Sequence, residues 1–241
     1  MIKINQKSDN PLSHKTECLI LPCPEEKKPS GILKEIDAAL NSAISGVFKN
    51  KRFEGKPNQT LLFNNTSSLK SDNLLLVGVG KAKDLTKEII CKASASASKL
   101  AEGSNFKSAS IYLNDSCFDK IAKGKLYCEF AEGVAEGAGL ALYHFDNYKS
   151  LNKKDDLPSR LQTLTLVPTT RSRQASLTKA IARAQKIVEA VHSARDLVSH
   201  PGNTATPTYL VNYAKKMARK SKVACKVLGK KEMEKLGMGA L

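Results

Sequence analysis

NLLLVGVGK, residues 73–81, is the stretch that best indicates the fold of this 241-residue chain. Residues 74–79 form a short apolar run, and Gly80 follows it directly. An apolar run of this length bounded by glycine is typical of a buried strand, because a helix needs a longer periodic pattern. We expect the chain to turn after this strand into a helix over residues 84–101, with Asp84 as the N-cap.

The same alternation of strand and helix continues on both sides of this stretch. Short apolar or alternating runs typical of strands occupy residues 17–22, 60–63, 108–113 and 161–167, and helical spacing occupies residues 31–43 and 118–143. Alternating strands and helices over residues 17–167 predict an α/β layered domain.

The second half of the chain begins with a long amphipathic segment. Over residues 172–199 the apolar side chains fall three or four positions apart, which predicts one helix of about seven turns. Pro201 ends this helix, because the residue before a proline is pushed out of the helical region. Thr206 is a natural N-cap for a new helix that has Pro207 in its first turn.

After that helix the sequence predicts only a strand at residues 223–227 and a short helix at residues 230–236 that ends at Gly237. One strand and two short helices cannot enclose a hydrophobic core. We therefore expect residues 200–241 to be the opening elements of an incomplete domain. The predicted organisation is an N-terminal domain at residues 1–170, a connecting helix at 171–199 and the beginning of a second domain at 200–241.

Basic side chains are concentrated in the second half of the chain. The net charge is +16; residues 1–150 hold 21 basic and 17 acidic side chains, and residues 151–241 hold 18 and 6. Residues 215–231 contain eight basic groups and no acid, and only 7 of the 39 basic residues are arginine. Lysine gives a diffuse field rather than the forked donors that read base edges. The charge therefore indicates either a solvated basic face or non-specific attraction to nucleic acid.

The composition excludes several classes of protein. With 41% hydrophobic and 26% charged residues, the chain has the makeup of a globular protein rather than of collagen, a disordered tail or a coiled-coil rod. Its longest apolar run, residues 74–79, is far too short to cross a membrane. Residues 1–6 lack the apolar core of a signal peptide. We therefore expect a cytoplasmic protein.

Six cysteines stand at positions 18, 23, 91, 117, 128 and 225, and none of them forms a C-x-x-C pair. We expect reduced thiols in a chain without a signal peptide. Cys18, Cys91 and Cys225 lie in apolar patterns, where cysteine acts as a small hydrophobe. His14, Cys18 and Cys23 could be imagined as zinc ligands, but their spacing fits no standard zinc site and a fourth ligand is missing.

The turn after the strand of residues 73–79 has some features of a phosphate-binding loop. Gly78, Gly80 and Lys81 lie between a strand and a helix, where exposed backbone N–H groups can bind phosphate. Lys83, however, replaces the third glycine of G-x-G-x-x-G. The sequence therefore favours a tight strand-to-helix turn.

Glu132 and Glu136 are four residues apart, so they share a helix face where carboxylates could bind a metal or a proton. The glycines around them favour instead a closely packed helix with solvated acids, and Asp146 is interpreted in the same way. His144 has no obvious partner in the sequence, and His192 is expected to be packed or on the surface. With no G-x-S-x-G and no H-E-x-x-H motif, the residues themselves predict no catalytic, cofactor-binding or metal-binding residue.

Four stretches of the sequence, at residues 75–81, 132–150, 194–210 and 231–241, together resemble the leucyl aminopeptidase family, also called the cytosol aminopeptidase family. Residues 194–203 (ARDLVSHPGN) and 206–210 (TPTYL) resemble its signature A/R-D-L-V-N-x-P-x-N-x-x-T-P-x-x-L, which opens the catalytic domain. Residues 75–81, 132–150 and 231–241 resemble a strand and turn of the N-terminal domain, a glycine- and alanine-rich helix, and the segment E-M-x-x-L-G-M-G-A-L. The resemblance extends from about residue 17 to the end. Ser199 and Gly202 depart from the signature, at a turn that ends a helix.

This resemblance implies a macro-domain-like, three-layer N-terminal α/β domain, a long connecting helix and an α/β metallopeptidase domain. Family members are homohexamers that remove N-terminal residues, often leucine, from peptides. Two divalent metals, zinc or manganese, activate a water and polarise the scissile carbonyl. The metal ligands lie in segments of the type V-G-K-G-x-x-F-D-S-G-G and N-T-D-A-E-G-R, and neither segment occurs here. The expectation is therefore a catalytically incomplete fragment, inactive alone, with no catalytic residue and no bound metal.

The alternative is a non-catalytic DNA-binding or assembly module that uses the basic residues 215–231. Some relatives in this family also bind DNA, and the positive charge of this stretch would attract phosphates. Nucleotide binding by the macro-like domain is a weaker alternative, because it rests on the turn at Gly78 and Gly80 alone.

Overall fold

The computed structural model describes residues 2–113, 125–150, 160–168 and 174–239. These residues divide into two compact units, residues 1–192 and residues 193–241, and each is described by itself. Some of the positions considered above lie outside the described residues: Cys117, residues 118–124 and 172–173 of two predicted helices, and residues 240–241.

A six-stranded sheet forms the centre of the first unit. Its strands are β1 (Lys3–Gln6), β2 (Cys18–Pro24), β3 (Thr60–Phe63), β4 (Asn73–Gly80), β5 (Ser108–Leu113) and β6 (Thr163–Pro168). Their order is β1-β6-β5-β2-β4-β3, and every neighbouring pair is parallel except β3 and β4, which are antiparallel. Because β4 has a strand on each side and a layer on each face, seven of its eight residues are buried.

Helices cover both faces of this sheet. They are α1 (Ile32–Ala39), α2 (Ala43–Lys49), α3 (Lys87–Gly103), α4 (Lys125–Ala141) and α5 (Gln174–Ser199). Leu19 and Leu74 belong to the core under α1 and α2, whereas their neighbours Ile20 and Leu75 belong to the core under α3, α4 and the first half of α5. Successive strand side chains thus point to opposite faces, and the expected three-layer α/β architecture is confirmed.

The helix predicted at residues 31–43 is in fact two helices. Asn41 and Ser42 have positive φ angles of 52° and 62°, so the backbone turns sharply between α1 and α2. The Asp37 carboxylate accepts a hydrogen bond from the backbone N–H of Ser45 at 2.9 Å. It thereby satisfies one of the free donors at the start of α2, and this bond across the corner is not visible in a helical pattern.

The N-cap predicted at Asp84 is also wrong. Residues Ala82–Asp84 form a short 3₁₀ turn, and α3 begins only after Thr86. The Thr86 hydroxyl accepts a hydrogen bond from the N–H of Ile89 at 3.3 Å, which is the usual N-cap arrangement. Strand β1 was not predicted, because it is a short edge strand with a single buried residue, Ile4.

The second unit contains the end of α5 from Ser193, then α6 (Pro207–Ser221) and α7 (Lys230–Lys235). The N-cap predicted at Thr206 is confirmed, since its hydroxyl accepts a hydrogen bond from the N–H of Tyr209 at 3.2 Å. Gly237 has a φ of 70° just after α7, as expected of a residue that ends a helix.

The strand predicted at residues 223–227 is not formed. A strand needs a neighbour for its backbone groups, and none of residues 193–239 offers one. Ala218 is the one buried residue in that range, and Cys225 is exposed, contrary to its expected role as a small hydrophobe. These residues therefore enclose no core of their own.

Helices α3 and α4 lie unusually close together. A methyl group at Gly137 would be 2.1 Å from the carbonyl oxygen of Cys91, and one at Gly133 would be 2.9 Å from the carbonyl oxygen of Lys87. The Ser94 hydroxyl donates a hydrogen bond to the carbonyl oxygen of Val134 at 2.7 Å across the same contact. The prediction that small residues let this helix pack closely is confirmed.

We expect Gly137→Ala to lower the free energy of unfolding by about 1–3 kcal/mol, because the α3 backbone must move to admit the methyl group. Urea unfolding measures this change. Gly46→Ala is the matched control: Gly46 lies in α2 with no atom within 4 Å of the added methyl group. This control should gain about 0.5–1 kcal/mol from its lower unfolded-state entropy. A Gly137→Ala variant as stable as the Gly46→Ala control would contradict the close contact.

Candidate functional site

The glycine turn after β4 is packed against the segment of residues 55–59. The N–H of Gly78 donates to the carbonyl oxygen of Gln59 at 2.7 Å, and the N–H of Gly80 donates to that of Gly55 at 2.9 Å. A methyl group on Gly78 would be 2.0 Å from the carbonyl oxygen of Lys56. Both glycine amides are therefore used within the fold, and the geometry is that of a tight turn rather than a phosphate cradle.

The carboxylates of Glu132 and Glu136 lie at the contact between α3 and α4 and share one ammonium group. Lys87 Nζ donates to Oε1 of each carboxylate at 2.7 Å. The Glu132 and Glu136 side chains are only 9% and 12% exposed, so the expectation of solvated acids is wrong. Arg183 Nε, 3.4 Å from Glu132 Oε1, adds a second cation. Glycine packing places these acids against α3, and the cations stabilise them there.

The environment of Lys87 keeps it charged. Burial alone lowers the pKa of Lys87, but the hydrogen bonds to Glu132 and Glu136 outweigh burial and raise that pKa above its usual value. The stabilisation from this raised pKa is fully present below the unfolded-state pKa and disappears only as the pH rises through the folded-state value. The cluster therefore acts as a fixed clamp at neutral pH.

The histidines of this region have partners. His144 Nε2 lies 2.9 Å from Oε2 of Glu102, so the expectation that His144 lacks a partner is wrong. His192 Nε2 lies 3.0 Å from the carbonyl oxygen of Gly139, and its ring contacts Tyr143 with centroids 4.9 Å apart. His192 is thus a packed histidine, as predicted.

Asp146 is held by two cations after α4. Its carboxylate pairs with Lys149 at 3.1 Å and also with Arg160. The hydrogen bonds from Lys149 and then Arg160 lower the pKa of the Asp146 carboxyl, so it is an ion-pair partner and not a proton donor. Among the described residues no three His, Cys, Asp or Glu side chains come together to hold a metal ion.

One polar cluster was missed by the sequence analysis. His14 is only 3% exposed, and its Nδ1 lies 3.0 Å from Oδ2 of Asp9 while its Nε2 lies 2.9 Å from Oγ of Ser110. Ser110 is 96 positions away in the sequence, so no local spacing indicates the cluster. Burial raises the pKa of the Cys18 thiol to about 12, which makes it an inert core side chain.

A polar cavity of about 480 Å³ adjoins this histidine in the first unit. Its lining combines amides, hydroxyls and two lysines with His14: Asn5, Gln6, Lys7, His14, Lys15, Thr16, Ser108, Ala109, Ser110 and Thr165. A cavity of this volume accommodates a small molecule. Its titratable groups are Lys7, His14 and Lys15.

The stretch that resembles the family signature forms a compact corner in the second unit. The N–H of Ala205 donates to the carbonyl oxygen of Pro201 at 2.9 Å, and Thr206 then caps α6. The Tyr209 hydroxyl lies 3.2 Å from Nε2 of His200. The departures at Ser199 and Gly202 leave this helix–turn–helix intact, since a methyl group at Gly202 would meet nothing within 4 Å.

Comparison with known proteins agrees with this arrangement. Residues 20–152 match the model of the cytosol aminopeptidase family, N-terminal domain, and residues 192–241 match that of the cytosol aminopeptidase family, catalytic domain. A probable cytosol aminopeptidase of Geobacter sp. (strain M21) is 34% identical over 241 residues, which are 100% of this chain and 46% of that protein. The chain therefore spans about half the length of the curated relatives it matches.

Two solved structures share the fold. A mutant of tomato leucine aminopeptidase superimposes with a TM-score of 0.83 and 21% identity, covering 100% of this chain and 47% of that one. The bottromycin maturation enzyme BotP in complex with Mn superimposes with a TM-score of 0.64 and 22% identity, covering 92% of this chain and 40% of that one.

The two family matches define the class as that of proteins with an N-terminal α/β domain followed by a second domain, of which this chain contains the first 50 matched residues. The chain belongs to the cytosol aminopeptidase family. No helix among its described residues is long and apolar enough to span a membrane.

We expect Lys87→Met to destabilise the first unit by about 1–3 kcal/mol, because it leaves two nearly buried carboxylates side by side. The lower part of that range is the better expectation, since the Lys87 side chain is 34% exposed and water screens the pair. Lys92→Met is the matched control on the same helix. Its ion pair with Glu88 is exposed, so its loss should leave the unfolding curve almost unchanged. Equal effects of the two variants on urea unfolding would show that the clamp is unimportant.

Proposed function

We propose that this chain acts in a leucyl aminopeptidase, an enzyme that removes N-terminal residues, preferably leucine, from peptides. The observation that carries this proposal is the order of the two family matches: an N-terminal domain at residues 20–152, then the start of a catalytic domain at 192–241. In this proposal residues 1–170 are the first domain, 171–199 the connecting helix, and 200–241 the beginning of the catalytic domain. The enzyme would work in the cytoplasm, as the name of the family suggests.

The proposed enzyme is a homohexamer that uses two divalent metals, manganese or zinc, when complete. BotP, a protein of similar fold, was solved with Mn. The described residues of this chain contain no donor set that fits such a pair of metals. The family's metal-binding segments do not occur in the 241 residues either. We therefore assign no catalytic, cofactor-binding or metal-binding residue to this chain, and propose that it binds no metal and is a fragment.

The proposed contribution of this chain is structural. The α3–α4–α5 layer and its Lys87 clamp build the first domain. The capped corner at residues 200–210 joins α5 to α6 at the start of the proposed catalytic domain. Reading the coding DNA beyond the codon for Leu241 tests the proposal directly, because a continuation that encodes the lysine, aspartate and glutamate ligands would complete the enzyme. Unrelated sequence behind a stop codon would favour the alternative below.

We expect the purified 241-residue chain to release no leucine from a leucyl-anilide substrate in the presence of manganese, because the metal ligands are missing. Joining residues 1–241 to the remaining half of the Geobacter relative should restore activity, since that half supplies the ligands. That relative at full length is the positive control. Manganese-dependent hydrolysis by the 241 residues alone would overturn the assignment.

One observation favours a second candidate function, a DNA-binding or assembly module. All eight basic side chains between residues 215 and 231 are exposed, so their charge is available to a polyanion. In this alternative the stretch tracks phosphates without reading bases, because seven of the eight are lysines.

If the alternative holds, binding to duplex DNA in a gel shift at low salt should weaken steeply as salt rises, with a log–log slope of about −0.9 per phosphate neutralised. Lys215→Gln with Lys216→Gln should reduce that slope by about two. Lys27→Gln with Lys28→Gln, an equally exposed pair in the first unit, is the matched control. The absence of a shifted band at low salt would remove the DNA-binding candidate.

A further inference from the structure

The cluster of Asp9, His14 and Ser110 has the geometry of a nucleophile, a base and an orienting acid. The Ser110 hydroxyl oxygen is 2.9 Å from Nε2 of His14, and Nδ1 of the same ring is 3.0 Å from the Asp9 carboxylate. Such a constellation is recognised by distances and roles rather than by sequence order. Nothing in the aminopeptidase assignment uses these residues.

The charge of Asp9 fixes the tautomer of the ring. The hydrogen bond from His14 and then that from Lys7 lower the pKa of the Asp9 carboxyl, so it is ionised at neutral pH and accepts a hydrogen bond from the Nδ1–H of His14. With the proton on Nδ1, Nε2 has a free lone pair aimed at Ser110. Thr16 Oγ1 lies farther from Ser110 Oγ, at 3.2 Å, so the shorter contact of the serine hydroxyl is with the histidine.

The side chains beside this cluster on strands β1, β6 and β5 are polar. Asn5, Thr165 and Ser110 are register partners across β1, β6 and β5, so they form one polar row. The next row on the same face continues with Val167 and Tyr112, which belong to the apolar core. Asn5 and Thr165 are partly exposed and Ser110 is buried, so this polar row lies where the apolar core on this face of the sheet ends.

The polar row lines the cavity of about 480 Å³, so a ligand can reach it. Ser110 is 2% exposed overall, but it contributes to the cavity wall together with His14 and Thr16. Lys7 and Lys15 line the same cavity. Lys7 is paired with Asp9 at 3.0 Å, so the lysine assigned to a ligand is Lys15.

We propose that Ser110, His14 and Asp9 form a second, metal-independent site that hydrolyses a small ester carrying an anionic group. Ser110 Oγ attacks the acyl carbon while its proton moves to His14 Nε2. The bond from the acyl carbon to the alcohol oxygen then breaks, and the alcohol leaves with that proton. Water then attacks the acyl carbon while one of its protons moves to His14 Nε2. The bond from the acyl carbon to Ser110 Oγ breaks, that proton passes to Ser110 Oγ and the acid is released, so the balance is ester plus water to acid plus alcohol. Ser110 and His14 are the catalytic residues, Asp9 is a positioning residue, and Lys15 binds the anionic group.

The first test is covalent labelling of the 241-residue chain with a fluorophosphonate in the presence of a metal chelator. The Ser110 oxygen displaces fluoride from phosphorus, so we expect one label per chain on Ser110, located by peptide mass spectrometry. His14→Asn should slow the labelling about a hundredfold or more, because general-base assistance contributes that much. Ser176→Ala, which removes an exposed serine on α5 outside the cavity lining, should label like the unchanged chain.

The role of Asp9 is tested by rescue. Asp9→Asn should slow labelling, because the neutral amide no longer fixes the tautomer, and Asp9→Glu should restore most of the rate. A merely structural Asp9 would give the same rate in both variants. The Asp9 side chain is 25% exposed, so both variants are expected to fold, and circular dichroism checks this.

Turnover is measured with 4-nitrophenyl hemisuccinate, and neutral 4-nitrophenyl acetate serves as the control substrate. Lys15→Gln should raise KM for the hemisuccinate several-fold and leave that for the acetate unchanged. The proposal is overturned if the folded chain takes no label on Ser110, or if Ser110→Ala hydrolyses the hemisuccinate as fast as the unchanged chain. It is also overturned if His14→Asn labels at the unchanged rate.

Discussion

The contact between α3 and α4 is the constraint on which the first unit depends. Gly133 and Gly137 leave no room for a side chain against the α3 backbone, so the two helices meet backbone to backbone. Two residues further along, Gly139 meets Val188 of α5, where a methyl group would lie 2.8 Å from Cγ2. Three helices are thus fixed as one layer by small residues on α4. This layer buries the sheet, and it also explains why Glu132 and Glu136 have little contact with water and are stabilised by the ammonium group of Lys87.

Residues whose surroundings are determined by local sequence were predicted well. The strands β2, β4 and β5 are mostly apolar, so their pattern alone indicates burial, and Thr206 with Pro207 indicates the start of α6. The errors have non-local causes. Edge strand β1 has only one buried residue, so its sequence pattern is weak. The corner between α1 and α2 depends on a hydrogen bond that the Asp37 carboxylate accepts from Ser45. Residues 223–227 would need a neighbouring strand to form one themselves.

The two polar clusters, around Lys87 and around His14, could not be predicted from the sequence for the same reason. Lys87 and Glu132 are 45 positions apart, and His14 and Ser110 are 96 apart, so only the fold brings either pair together. Glu132 and Glu136 were recognised as a pair because they are four apart on one helix, but their cation lies on another element. Ser110 gave no signal at all, because one serine within an apolar strand is an ordinary residue until its neighbours across the sheet are known.

The surface of the second unit carries both exposed basic side chains and exposed apolar side chains. Eight exposed basic side chains favour water or a polyanion, whereas Leu210, Met217, Val223 and Leu236 are 44–65% exposed and favour burial. Leu210 and Met217 are seven residues apart on α6, so they share one face of that helix. Binding to DNA would neutralise the lysines and leave this apolar face in water. Packing against further protein would bury it, at about 25 cal/mol for each Å² covered, and the lysines could remain solvated at the rim. The exposed apolar side chains therefore favour packing against a segment that completes a domain, and the positive charge alone is a weaker argument for DNA binding.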